Sequence, residues 1–110
     1  MAAETDHAVL AEQLRRRVLE SGAVAGSVRR AALRAGAGEG VDDEGRHVVL
    51  ARTIGAASYR VTDEMVADVR ADTGSDRAAF EVVMSASIGA GLRRWDAALA
   101  AIGEATDAAR

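Results

Sequence analysis

The sequence predicts an all-α fold: a single-domain bundle of about five helices with a long C-terminal helix. Three observations carry this expectation. Of 110 residues, 26 are Ala and 14 are Arg, both good helix formers, while Pro is absent. Apolar residues recur at spacings of three and four, and no useful stretch alternates with period two. Most of the 11 glycines fall between these periodic segments and mark their ends. The length suits one domain. It divides into an N-terminal helical pair (1–35), a Gly-rich connector (36–41) and the remaining helices (42–106).

Asp6 is expected to cap a first helix that runs to Ser21. Leu10, Leu14 and Val18, with Leu19 adjoining, form its apolar face. Arg15, Arg16 and Arg17 wrap around it, so at least one lies beside the buried face and extends its guanidinium to water. Gly22 is the stop. A short second helix over residues 27–35 has a small inner face of Val28, Ala31, Ala32 and Ala35. Gly36-Ala37-Gly38-Glu39-Gly40 has the glycines of a phosphate loop, but it lacks the Lys-Ser/Thr ending and follows a helix, so it reads as a connector. A third helix is expected from Asp42 or Asp43, since acids suit a positive helix end, to about Ser58. It carries Val48, Val49, Leu50 and Ile54. Tyr59-Arg60-Val61 is expected to be a brief extended link. Thr62 caps a fourth helix with Asp63 and Glu64 in its first turn. Met65, Val66 and Val69 supply its inner face, and Gly74 closes it.

Ser75 caps the last helix, expected over residues 76–104 and so roughly 40 Å long. Its large apolar residues, Phe80, Met84, Ile88, Leu92, Trp95, Leu99 and Ile102, keep spacings of four and three without a slip. Leu, Ile, Val and Phe together number only 23. Four short helices with so few large residues cannot cover that seam, so a second copy of the chain is expected to help bury it. The middle of the helix also holds three small-xxx-small pairs, Ser85/Gly89, Ala86/Ala90 and Ser87/Gly91. An interior Gly costs about 1 kcal/mol relative to Ala, and close approach of another helix is the natural offset. These six residues and Trp95 are the expected interface.

Residues 59–103, YRVTDEMVADVRADTGSDRAAFEVVMSASIGAGLRRWDAALAAIG, resemble the C-terminal half of the AhpD-like, carboxymuconolactone decarboxylase-like superfamily. A Val-Thr-Asp cap opens a short helix, a Gly-Ser-Asp turn follows, and Phe-Glu leads into a long apolar helix with Leu-Arg-Arg and an Ala/Leu-rich end. The resemblance covers under half the chain and rests on scaffold motifs. It implies an all-helical homo-oligomer. Redox members of that superfamily use Cys-x-x-Cys with a nearby His, and this chain has no Cys. The expectation is therefore a non-redox AhpD-like protein, a homo-oligomeric structural or interaction module without thiol peroxidase activity. The alternative is a small cysteine-independent enzyme, lyase or decarboxylase-like, acting on an acidic small molecule.

For that alternative, His47, Tyr59 and Glu81 are the candidate catalytic groups. His47 beside Arg46 and Arg52 could act as a base. Glu81, if buried, could transfer protons. Tyr59 could donate a hydrogen bond in a crevice between the third and fourth helices. Arg46, Arg52, Arg93 and Arg94 are the candidate anion-binding groups. Ordinary roles are also open: His47 as a surface or helix-end residue, Tyr59 as a filler of that crevice, Glu81 as a partner of Arg77 one turn earlier, and Arg93 as a partner of Asp96.

Several classes are excluded or disfavoured. Without Cys there are no disulfides and no thiolate chemistry. A net charge of -3 argues against nucleic acid, even with Arg93 and Arg94 beside Trp95. Asp42, Asp43, Glu44 and His47 cluster as helix starts commonly do, so no metal and no cofactor are expected. The start, MAAETDHAV, lacks the basic and apolar runs of a secretory signal. No stretch approaches the roughly 20 apolar residues that span a bilayer. A cytoplasmic chain from a GC-rich bacterial genome is the expectation.

Overall fold

The computed structural model describes residues 2–109. Among them are five α-helices, one short 3-10 turn and no strand: α1 (Ala2–Glu20), α2 (Gly26–Gly36), α3 (Arg46–Ala57), the turn Ser58–Arg60, α4 (Asp63–Thr73) and α5 (Asp76–Ala108). The all-α expectation with a long last helix holds. At 33 residues, α5 sets the long axis of a molecule measuring 54 × 27 × 23 Å.

The core is built around α2, which packs on α5 and α3 while α3 also meets α5. Its fully buried large side chains are Leu50, Val48, Val69 and Val82, and Ala31, Ala32, Ala35, Ala51, Ala79 and Ala86 fill the rest. So few large side chains can close a core only if backbones come close. A Cβ on Gly36 would overlap the Ala86 carbonyl of α5, one on Gly55 would overlap the Gly36 carbonyl, and one on Gly89 would overlap the Leu33 carbonyl. These three contacts lock α2 against both neighbours, and the dispersion gained along each close seam offsets the helix penalty of Gly.

Two caps match expectation in atomic detail. Thr62 Oγ1 accepts from Met65 N at 3.1 Å, and Ser75 Oγ accepts from Ala78 N at 3.1 Å. Gly74 ends α4 with φ of 92°, a left-handed geometry that favours Gly. Other boundaries move. Asp6 does not cap α1, because the helix begins at Ala2 and nothing in the Ala-rich start breaks it. The third helix starts at Arg46 and not at Asp42 or Asp43. Asp43 is drawn into a local turn instead: its Oδ1 accepts from Gly45 N at 2.8 Å and its Oδ2 lies 3.0 Å from His47 Nε2. The expected extended link at Tyr59 and Arg60 is a 3-10 turn, closed by Val61 N donating to Ser58 O at 3.1 Å. The last helix runs four residues beyond Glu104.

The largest departure is the rotation of α5. Its buried residues are Ala78, Ala79, Val82, Ser85, Ala86, Gly89, Ala90 and Leu92. Of the expected large-residue seam only Leu92 is buried, whereas Phe80, Met84, Leu99 and Ile102 are exposed and Ile88 and Trp95 are half-buried. Large side chains cannot enter a seam where two backbones nearly touch, so α5 presents its small face to α2 and α3.

Candidate functional site

The rotation of α5 leaves a long apolar groove. α1 runs antiparallel beside α5: His7 meets Trp95 edge to face at 6.1 Å, Arg15 Nη2 lies 3.5 Å from Asp96, and the chain just after α1 is tied to Glu81. Between the helices lies an open cavity of about 650 Å³ walled by Leu14, Val18, Phe80, Met84 and Ile88. Leu14 also walls a second cavity of about 330 Å³, together with Leu10, Leu92 and Trp95. Leu10 is 58% exposed and Phe80 62% exposed. One continuous apolar strip thus runs along two antiparallel helices, and the α5 end continues it with Leu99 and Ile102. Sequence periodicity marked these residues correctly as a face but assigned Leu10 and Leu14 to the chain's own interior. The structure leaves them outside.

The expected interface residues divide. Ser85, Ala86, Gly89 and Ala90 are buried against the chain's own core, where α2 makes the close approach. Ser87 and Gly91 are exposed, and Trp95 lines the groove. Here the helix that approaches the small residues is α2 of the same chain, while the large residues remain uncovered.

The three candidate catalytic groups are not gathered. Glu81 is a latch: its carboxylate accepts from Ala23 N at 2.7 Å and Val24 N at 3.3 Å, and it lies 3.9 Å from Arg29 and 3.7 Å from Arg77. The pairing with Arg77 is the one the spacing suggested. His47 is held against Asp43 at the start of α3. Tyr59 is 82% exposed, with the Arg60 guanidinium over its ring. Glu81 borders the α1/α5 groove, whereas His47 and Tyr59 border neither that groove nor the clefts beside Arg93. No group of three or more His, Asp or Glu side chains among the described residues is placed to hold a metal ion.

Arg29 carries a role that the sequence reading missed. It is buried, and its guanidinium donates to Val18 O at 2.7 Å and to Val24 O, closing the C-terminal end of α1. The signal was there: Arg29 shares a helical stripe with Ala32, Leu33 and Gly36, at intervals of three, four and seven. Glu81 and Arg29 together fasten α1 and its following loop to α5 and α2.

The four candidate anion-binding arginines also separate. Arg46 clamps α3 to α4 by ion pairs with Asp68, at 3.2 Å, and with Asp72. These hydrogen bonds hold the Asp72 carboxyl below the usual range and raise Arg46. Asp43 is likewise lowered, chiefly by the Gly45 N–H and then by His47. Arg52, Arg93 and Arg94 do converge, around a cleft of about 400 Å³ floored by Gly36, Gly55 and Ala90. Arg93 donates to Ala37 O at 2.7 Å and Arg94 to Gly55 O at 3.1 Å, so each satisfies a carbonyl at the end of a helix. Asp96 pairs with Arg15 on α1 and not with Arg93.

The fold and the face define a class: a small all-helical bundle with an uncovered two-helix groove. No helix among the described residues is long and apolar enough to cross a membrane. The chain matches no known protein family, no curated protein and no solved structure.

Proposed function

We propose that the chain is a homo-oligomeric interaction module, a cysteine-free relative of the AhpD-like scaffold, in which α1 and α5 form half of a four-helix bundle completed by a second copy. The observation that carries this reading is the continuous exposed row of Leu10, Leu14, Phe80 and Met84 along two antiparallel helices. Two such pairs related by a two-fold axis face each other with the same residues, as an isologous contact requires. Two helices, each about 10 Å across, over the roughly 28 Å of α1 present about 600 Å² in projection, before the overhanging end of α5 is added. A stable interface takes about 800 Å² per partner. Full burial of a Leu, Phe or Met is worth about 1.5–3 kcal/mol, and these four are 41–62% exposed, so covering what remains of each contributes roughly half of that. Homo-oligomers are also what the family resemblance implies.

Light scattering across a concentration series tests the proposal. The unaltered chain should be an oligomer, and Leu14→Glu or Met84→Glu should yield a monomer with unchanged helicity, since both side chains already meet solvent in the single chain. A monomer at every concentration, or variants that associate as before, would sink the reading.

A further inference from the structure

We infer that the two clefts flanking the Arg93 side chain form one binding site for a compact polyanion, a molecule carrying at least two phosphate or carboxylate groups. Arg93 crosses from α5 to the loop after α2 and forms a ridge against Gly38. On one side lies a cleft of about 530 Å³ with Arg15, Arg30 and Arg34 on its walls. On the other lies the 400 Å³ cleft with Arg52 and Arg94. Arg93 and Gly38 belong to both, so a ligand reaches the second cleft by passing a single side chain. Six of the 14 arginines thus border one ridge, against two carboxylates, Glu39 and Asp96. The whole chain carries -3, so this is a concentration of positive charge against the overall sign. A concave surface lined by one sign focuses its field on an incoming anion.

The contacts these arginines already make leave donors free. A guanidinium has five N–H donors in a planar fork that suits phosphate and carboxylate. Arg93 and Arg94 each give a bond to one carbonyl. Arg15 holds Glu12 through Nη1 at 2.9 Å, which leaves Nη2, 3.5 Å from Asp96, as the end that can turn to a ligand. The Arg34–Glu39 pair at 3.4 Å is longer than a good charge-assisted bond, so an incoming anion displaces little there. Arg30 and Arg52 are exposed and have no ion-pair partner among the described residues. The arginines come from α1, α2, α3 and α5, on both sides of the ridge, which a single anionic group cannot bridge. Leu19, Leu33 and Leu92 give the larger cleft an apolar wall for a ligand's organic part. Both volumes lie within the range of small-molecule sites, about 300–1,000 Å³.

The test is titration calorimetry of the full chain at low ionic strength, with inorganic pyrophosphate in one arm and citrate in the other. Saturable binding with one ligand per chain is expected, and the stronger arm identifies the ligand as phosphate or carboxylate in type. Arg30→Gln and Arg52→Gln, one on each side of the ridge, should each weaken binding about tenfold or more. Arg60→Gln, on the 3-10 turn and outside both clefts, should leave it unchanged. Circular dichroism checks that the exposed Arg30 and Arg52 variants keep their helicity. No saturable binding in either arm at millimolar ligand, equal losses in all three variants, or a loss confined to one of Arg30 and Arg52 would overturn the inference.

Discussion

Replacing Gly89 by Ala should destabilise the chain, and replacing Gly91 by Ala, two residues on, should stabilise it. In an open helix interior the exchange gains about 1 kcal/mol, because Gly loses more backbone freedom on folding. At Gly91 a Cβ would meet nothing within 4 Å, so most of that gain is expected. At Gly89 the Cβ would overlap the Leu33 carbonyl. That atom is α2 backbone and cannot rotate aside, so α2 and α5 must part. Overpacking of this kind costs about 1–3 kcal/mol. Offset by the helix gain, the net loss at Gly89 is about 0–2 kcal/mol, and the two variants should differ by at least about 1 kcal/mol. For a domain of this size each kcal/mol moves Tm by about 4 °C or more. Urea unfolding followed by circular dichroism reads the difference directly, with the urea slope expected to stay constant. Equal stabilisation by both variants would refute a close α2/α5 contact at Gly89. A Gly89→Ala chain that keeps its stability but loses its oligomer would place the small-residue seam between copies, as the sequence pattern alone suggested.

Two further outcomes follow from the buried polar contacts. Glu81→Ala removes the acceptor of two backbone N–H groups and a partner of buried Arg29, and should cost about 3 kcal/mol in urea unfolding; Arg77→Ala, on the exposed side of the same carboxylate, should cost under about 1 kcal/mol. Asp43 and Asp72 titrate below the usual range in the folded chain, so their stabilisation is complete above the unfolded value near about 4 and is lost as pH falls through the lower folded values. Asp72→Asn should therefore flatten the decline of stability with acid, measured by thermal unfolding across a pH series.

The legible part of the fold was the part written in local chemistry. Thr62, Gly74 and Ser75 act within one turn of themselves, and their roles follow from short side-chain oxygens and a missing Cβ. The α5 period was equally plain. Its facing was not, because a helix with large residues on one side and small ones on another can bury either. Burial by size favours Phe80 and Met84; close backbone contact favours Ala86 and Gly89. The choice depends on whether a partner helix offers a matching gap, and Gly36 and Leu33 on α2 supply it. Asp43 misled for a related reason, since an Asp that can cap a helix can also close the turn before it. Glu81 and Arg29 stand 52 positions apart in sequence, so their shared task of fastening α1 was not readable from spacing.

The way α1 is fastened bears on the proposed role. Its C-terminal end is tied down by Arg29 and Glu81, and among its described side chains Val18 is the one large one that is buried. Further towards its start, Leu10 and Leu14 face the groove and meet solvent. A helix of 19 residues gains little from backbone propensity alone, and most helical stability in proteins comes from packing an apolar face. In a lone chain, α1 has the polar half of its attachment and lacks most of the apolar half. The same holds for α5 beyond Trp95, where Leu99 is 45% and Ile102 62% exposed. Both shortfalls lie along one groove, so one partner of matching shape meets both. Binding that favours the folded chain adds to its stability by mass action. A core of small residues, which holds α2, α3 and α5 at close range, is thus compatible with large residues outside: the small ones set the fold of one copy, and the large ones are left to join two.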